Sequence, residues 1–255
     1  MRTPIIAANW KMHKTTAEAA DFIGQLGSEL KHDTVEVVIC PPFPLLCRVN
    51  DVCREKGLRL GAQNMYWETA GAFTGEVSPM LLKDIGVQYV ICGHSERRQL
   101  FGETDQQVAR KVKAAFAAEI IPIICVGETL QQRQAEQTAA VVGEQITIAL
   151  DGLDPSQVRR LVIAYEPVWA IGSGLAATGT DAGMVAQQIR KLIGEMYSLR
   201  TARDVRIQYG GSVKPNNILE FMSEPEIDGA LVGGASLDAT VFAGIVNAVS
   251  GARRE

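Results

Sequence analysis

A carboxylate and a proline stand side by side in AYEPVWAIGSG, residues 164–174, where an apolar run gives way to a stretch bearing two glycines. An isolated acid in that place, Glu166, has the chemistry of a general base if other groups converge on it. Four further stretches supply such groups. NWK holds Asn9 and Lys11, an amide and a cation two residues apart and so on one face of an extended chain. GHSE adds the imidazole of His94, YGGS ends on the hydroxyl of Ser212, and VGGAS carries Gly233 and Gly234. A glycine-rich turn ahead of a helix start lets an anion approach backbone N–H groups, and phosphate suits it. Together these groups fit proton abstraction beside a carbonyl in a phosphorylated small molecule. The charge that builds on the enolate oxygen in that step needs a base opposite and fixed donors at the oxygen.

Each group also has an ordinary structural reading. Lys11 could be a solvated cation, His94 a hydrogen-bonded structural histidine, Glu166 a loop carboxylate in a salt bridge, and the glycine pairs simple tight turns. The elements that carry them decide between the readings. Eight short β-branched or apolar runs recur along the chain: PIIAANW (4–10), VEVVIC (35–40), LRLGA (58–62), VQYVICG (87–93), IIPIICVG (120–127), RLVIAY (160–165), VRIQYG (205–210) and DGALVGG (228–234). Their near-continuous hydrophobicity predicts parallel strands covered on both faces. Between them, Thr15–Glu18 and Thr104–Gln107 have capping-box spacing. Apolar stripes follow at Phe22, Ile23, Leu26 and Leu30, and at Val108, Val112 and Phe116. Val185, Ile189 and Ile193, then Ile218, Leu219 and Met222, predict later helices.

Eight strands alternating with helices imply right-handed βαβ units. An open dinucleotide-binding sheet would carry GxGxxG after its first strand, whereas NWKMHKTT has no glycine at all. The prediction is a closed (β/α)8 barrel, with residues 1–255 as a single domain because no linker or low-complexity tract divides them. In such a barrel the working groups sit at the C-terminal strand ends, where all five stretches fall.

The net charge of -4 argues against a nucleic-acid or anionic-membrane surface. Five cysteines, odd in number and without a CxxC pair, predict a reducing, cytoplasmic setting with no disulfide framework and no metal site. The opening MRTPIIAANWK lacks a signal-peptide core, and no apolar run approaches a membrane span.

NWK, GAQN (61–64), GAFTGE (71–76), GHSERR (93–98), AYEPVWAIG (164–172), YGGS and ALVGGASL (230–237) resemble the triosephosphate isomerase family, in order and over essentially the whole chain. The resemblance implies the TIM barrel and interconversion of dihydroxyacetone phosphate with D-glyceraldehyde 3-phosphate, without metal or organic cofactor. It implies Glu166 as the base, His94 as the electrophile that polarises the carbonyl, and Lys11 with Asn9 holding the substrate. The family is itself the standard illustration of a neutral histidine electrophile beside a glutamate base. Gly172, Ser212, Gly233 and Gly234 are implied phosphate contacts. Ser95 and Glu96 could open a short helix whose positive end disfavours imidazolium.

By the same resemblance, Pro167, Val168, Trp169, Ala170, Ile171, Gly172, Ser173, Gly174, Leu175, Ala176 and Ala177 form a lid that excludes water. Ile171 and Leu231 correspond to an apolar clamp over the base, and Tyr209 to the latch of the closed lid. Ser173–Gly174–Leu175 departs from the family's usual threonine, glycine and lysine, which leaves lid kinetics open. His13, where the family more often has asparagine, is assigned no role. Residues 63–79, with Met65, Tyr66, Trp67 and Phe73, are expected to be a contact loop with Thr74 at its tip, and a homodimer is implied. Two alternatives stand beside the triose reading: an isomerase of a neighbouring ketose phosphate such as a tetrulose phosphate, and a catalytically silent phosphate-binding barrel. A hydrolase built on His94–Ser95–Glu96 is disfavoured, because adjacent residues cannot form a triad among themselves and no GxSxG elbow occurs.

Overall fold

A computed structural model describes residues 2–170 and 177–252. Its strands are β1 (Ile5–Asn9), β2 (Glu36–Cys40), β3 (Arg59–Ala62), β4 (Tyr89–Cys92), β5 (Ile121–Val126), β6 (Val162–Tyr165), β7 (Arg206–Tyr209) and β8 (Gly229–Val232). They pair in chain order, every pair parallel, and β8 pairs back onto β1 with Ile5 opposite Gly229. The sheet is therefore a closed eight-stranded barrel. The helices around it are α1 (Thr16–Glu29), α2 (Leu46–Glu55), α3 (Pro79–Ile85), α4 (Ser95–Phe101), α5 (Asp105–Ala117) and α6 (Leu130–Gln134), then α7 (Thr138–Leu150), α8 (Pro155–Val158), α9 (Gly179–Met196), α10 (Leu199–Asp204), α11 (Ile218–Met222) and α12 (Ala239–Ala252).

The unbroken hydrophobicity of the strands follows from two cores. Ile5, Ala7, Val38, Ile91, Ile123 and Ala164 form one inside the barrel. Their neighbours Ile6, Ala8, Val37, Val90, Ile124 and Ile163 form another with the helices, as alternation along each strand requires. The helical stripes pack where expected: Phe22, Ile23 and Leu26 of α1 and Val108, Val112 and Phe116 of α5 all join the outer core. Both capping boxes form. The Thr15 amide donates to Glu18 Oε2 at 2.7 Å and the Thr104 amide to Gln107 Oε1 at 2.9 Å. The α11 stripe differs from expectation. Leu219 is exposed and Phe221 takes the inward place, stacked on Tyr209 with ring centroids 3.9 Å apart.

Five of the predicted runs, those of β1, β4, β5, β7 and β8, overshoot their strands at the C-terminal end. Trp10, Gly93, Gly233 and Gly234 have left the ladder, and these departures shape the barrel mouth. The opposite end is closed by polar groups: the Tyr89 hydroxyl donates to Glu36 Oε2 at 2.8 Å, and Arg206 donates to both. Burial opposes ionisation of Glu36, but Arg206 and Tyr89 hold its carboxyl below the usual value. No described helix is long and apolar enough to cross a membrane.

Candidate active site

At the C-terminal ends of the strands lies a cavity of about 890 Å³. Asn9, Lys11, His94, Glu166, Ser212, Leu231, Gly233 and Gly234 all line it. β1 delivers Asn9, whose side-chain oxygen accepts the Lys11 amide at 3.1 Å. Lys11 has φ +53°, the left-handed region that a non-glycine residue enters only when its surroundings hold it there. Gln63 is part of that hold, since its Nε2 donates to the Lys11 and Cys40 carbonyls, each at 2.9 Å. The Lys11 ammonium lies 2.5 Å from Glu96 Oε1. It also sits beside the β8 turn, because a Cβ on Gly233 would fall 3.2 Å from Lys11 Cε.

β4 ends at Cys92, and after Gly93 His94 becomes the N-cap of α4. The Glu96 amide donates to His94 Nδ1 at 3.2 Å. That bond occupies the Nδ1 lone pair, so the ring proton resides on Nε2, the nitrogen that faces Glu166 Oε1 at 3.0 Å. Glu166 is buried, and its other oxygen accepts the Ser95 amide at 2.8 Å. Burial pushes the His94 pKa down. The Glu166 carboxylate pushes it up through charge and hydrogen bond, Glu96 adds to this, and Lys11 opposes it; together the raising influences win and the net shift is upward. The upward shift of His94 lasts while Glu166 lies against Nε2.

Glu166 leaves β6 through a gap that admits no side chain. A Cβ on Gly127 would stand 1.7 Å from the Glu166 carbonyl oxygen, and one on Gly210 would stand 2.8 Å from its Cγ. Tyr209 is buried at the end of β7, where burial raises its hydroxyl pKa to about 12. Leu231 is buried in the barrel interior. After β8, Gly234–Leu237 form one 3-10 turn rather than a full helix.

Beyond Glu166, Val168–Ala170 form a short 3-10 turn. Trp169 Nε1 donates to Glu128 Oε1 at 2.9 Å, Tyr165 donates to the same oxygen at 3.1 Å, and the Arg133 guanidinium lies 4.4 Å over the Trp169 ring. Pro167 precedes this turn, and Ala177 is buried where the description resumes. The expectations placed on Ile171, Gly172, Ser173, Gly174, Leu175 and Ala176 lie outside the described residues.

On the loop after β3, Tyr66 stacks on Trp67 at 4.1 Å and meets Phe73 at 4.7 Å, with Thr74 exposed. Met65 differs from the contact-surface expectation. It is fully buried in this chain's own core, so the loop's outward apolar surface comes from the aromatic cluster beyond it.

Several groups escaped the sequence reading. Glu96 was placed only as a helix opener, although it pairs with Lys11. The Ser95 amide, Gln63 and Glu128 act through contacts 23 to 71 residues away, and no local spacing announces them. Among the described residues, no group of three His, Cys, Asp or Glu side chains is placed to hold a metal ion.

A closed (β/α)8 barrel with a buried Glu–His pair at its mouth is, as a class, a barrel enzyme equipped for acid–base chemistry. More particularly, the chain belongs to the triosephosphate isomerase family, whose model, described as Triosephosphate isomerase, matches residues 4–249. The triosephosphate isomerase of Moorella thermoacetica is 56% identical over 97% of this chain and 99% of its own length. That of Alkaliphilus metalliredigens is 54% identical over 97% of this chain and 100% of its own. That of Carboxydothermus hydrogenoformans is 55% identical over 96% and 98%. The chain is an isomerase of this family.

Proposed function

We propose that the chain interconverts dihydroxyacetone phosphate and D-glyceraldehyde 3-phosphate through an enediolate, with the whole barrel acting as one unit. The observation that carries this reading is the His94 Nε2–Glu166 Oε1 contact at 3.0 Å, in a cavity that also holds Lys11 and the Gly233–Gly234 turn. Substrate oxygens take the place of Glu166 at His94 Nε2. The raising influence on the imidazole is then withdrawn, and burial with the α4 N-terminus keeps the ring neutral. Glu166 takes the proton from the carbon beside the carbonyl and returns it to the adjoining carbon. His94 donates Nε2–H to the developing oxyanion and carries the hydroxyl proton between the two oxygens. Lys11, oriented by Asn9, compensates the charge, and Gly172, Ser212, Gly233 and Gly234 receive the phosphate. Residues 167–177 cover the site, with Tyr209 and Leu231 as supports.

The same reading makes the chain a cytoplasmic homodimer. Five unpaired thiols support a reducing compartment. Phe73 at 41% exposure supports an apolar contact face on the Thr74 loop, and Met12 at 93% and Phe101 at 70% line a pocket with Gln63 and Asn64 at that loop's start.

Coupled assays on purified protein, with no metal added, test the function. Turnover of triose phosphates well above that of tetrulose phosphates is expected, and negligible triose turnover overturns the proposal. Size-exclusion chromatography with light scattering tests the dimer, and a monomer mass overturns it.

A further inference from the structure

Four groups of opposite sign line the described part of the cavity: Lys11, Lys214, Glu96 and Glu166. Three are committed. Lys11 is paired with Glu96 at 2.5 Å, and Glu166 is held by His94 and the Ser95 amide. Lys214 is exposed at the rim, and among the described residues no ion pair engages it. Its backbone is nevertheless tightly tied. The Lys214 amide donates to Asn217 Oδ1 at 2.7 Å, and its carbonyl accepts the Asn217 and Ile218 amides at 3.2 and 3.1 Å. Asn217 Nδ2 also donates to the Ser212 carbonyl at 3.1 Å. The next residue, Pro215, abuts α12, where a Cβ on Gly244 would come within 3.1 Å of the ring. A free charge is thus anchored one turn from Ser212.

That charge neutralises the mouth. Without Lys214 the remaining three, Lys11, Glu96 and Glu166, sum to one negative charge, on a protein whose net charge is already -4. The stretch PVWAIGSGLAA, 167–177, contains no ionisable side chain and contributes no cation. A phosphate dianion approaching such a mouth would meet repulsion. Clefts that carry the right sign raise the encounter rate of a charged ligand, and salt abolishes the gain.

We propose that Lys214 is an electrostatic steering residue, which speeds entry of the phosphate dianion and takes no part in the chemical step. The proposal rests on the phosphorylated-substrate reading of this site. A unit charge about 10 Å from a dianion in water changes its local concentration about fourfold.

The test is the ionic-strength dependence of kcat/KM for D-glyceraldehyde 3-phosphate in wild type, Lys214→Gln, Lys214→Glu and Lys214→Arg. At about 10 mM ionic strength Lys214→Gln is expected to lower kcat/KM about fourfold and Lys214→Glu about sixteenfold, while kcat holds and Lys214→Arg retains the wild-type value. The curves should converge by about 0.5 M salt, where the screening length falls to a few ångströms. Equal kcat/KM for Lys214→Gln and wild type at low salt overturns the proposal, as does a deficit that persists at high salt or a fall in kcat. Inorganic phosphate binding, followed by calorimetry at low salt, separates this from the function itself. A wild type without turnover sinks the isomerase reading. Steering then stands if Lys214→Gln weakens phosphate binding by a similar factor and falls if the affinity is unchanged.

Discussion

The carboxylate of Glu166 and the imidazole of His94 hold each other before substrate arrives, and both can be probed one atom at a time. Glu166→Asp keeps the charge but retracts it by about one methylene. A displacement near 1 Å in a reacting group costs about 100-fold, so kcat should fall by about that factor with KM little changed; steady-state kinetics read it, and near-normal kcat would remove Glu166 from the role of base. Glu166→Gln removes the charge that raises His94 and leaves the burial that lowers it. The imidazole should therefore titrate at lower pH in Glu166→Gln than in wild type, as followed by the ring proton shifts in NMR. The sign of the linked stability follows. With its folded pKa raised above 6.5, His94 stabilises the wild type below about pH 6.5, and that contribution is lost as pH rises through the raised value. The stability gap between wild type and Glu166→Gln should accordingly be widest in mild acid and close toward alkaline pH.

At the scale of elements, the joint between β6 and the 3-10 turn at Val168–Ala170 hangs on Glu128. Its side chain is fully buried and accepts from Tyr165 and Trp169, with Arg133 alongside at 3.5 Å. Leaving a buried donor unpaired costs about 1–3 kcal/mol. Glu128→Ala should lose about 3 kcal/mol in urea unfolding, and a loss below about 1 kcal/mol would show the joint to be held by packing instead. The same joint marks how far sequence reasoning reaches. Strand alternation revealed the barrel because continuous apolar runs have few other uses, and capping boxes at Thr15 and Thr104 located two helices because caps are local chemistry. α7 starts after Gln137 without a side-chain cap, and α2 likewise starts without one. Neither helix announces itself. Within the site, Asn9, Lys11, His94 and Glu166 were legible because strand ends in a barrel share one mouth. Glu96 was not, since its pairing with Lys11 spans 85 residues and depends on where α4 is set down. Met65 was misread for the opposite reason: a loop in sequence can still send one residue into the core.

The whole molecule is tied together on the side opposite the mouth. Asp228, buried at the entry to β8, accepts Arg2 Nε at 2.6 Å, the Ile207 amide at 2.9 Å and Arg190 Nη2 at 3.2 Å. One carboxylate thereby joins the first residues of the chain, β7 and α9. Removing one partner from a buried charged cluster costs about 3–5 kcal/mol. Asp228→Ala should lower the calorimetric melting temperature by about 10 °C, and an unchanged transition would mean the barrel closes without this clasp. That closure also has a consequence in time. Ile5 finds its β8 partner Gly229 only after 224 further residues (229 − 5) have been added. At about 5–20 residues per second, the ribosome holds the outer edge of β1 open for about 10–45 s. During each round of synthesis the first strand made is the last to be paired on both sides, and an open strand edge is a template for other chains. The nascent barrel's exposure to misassociation is therefore set by the speed of translation as well as by the stability of the finished sheet.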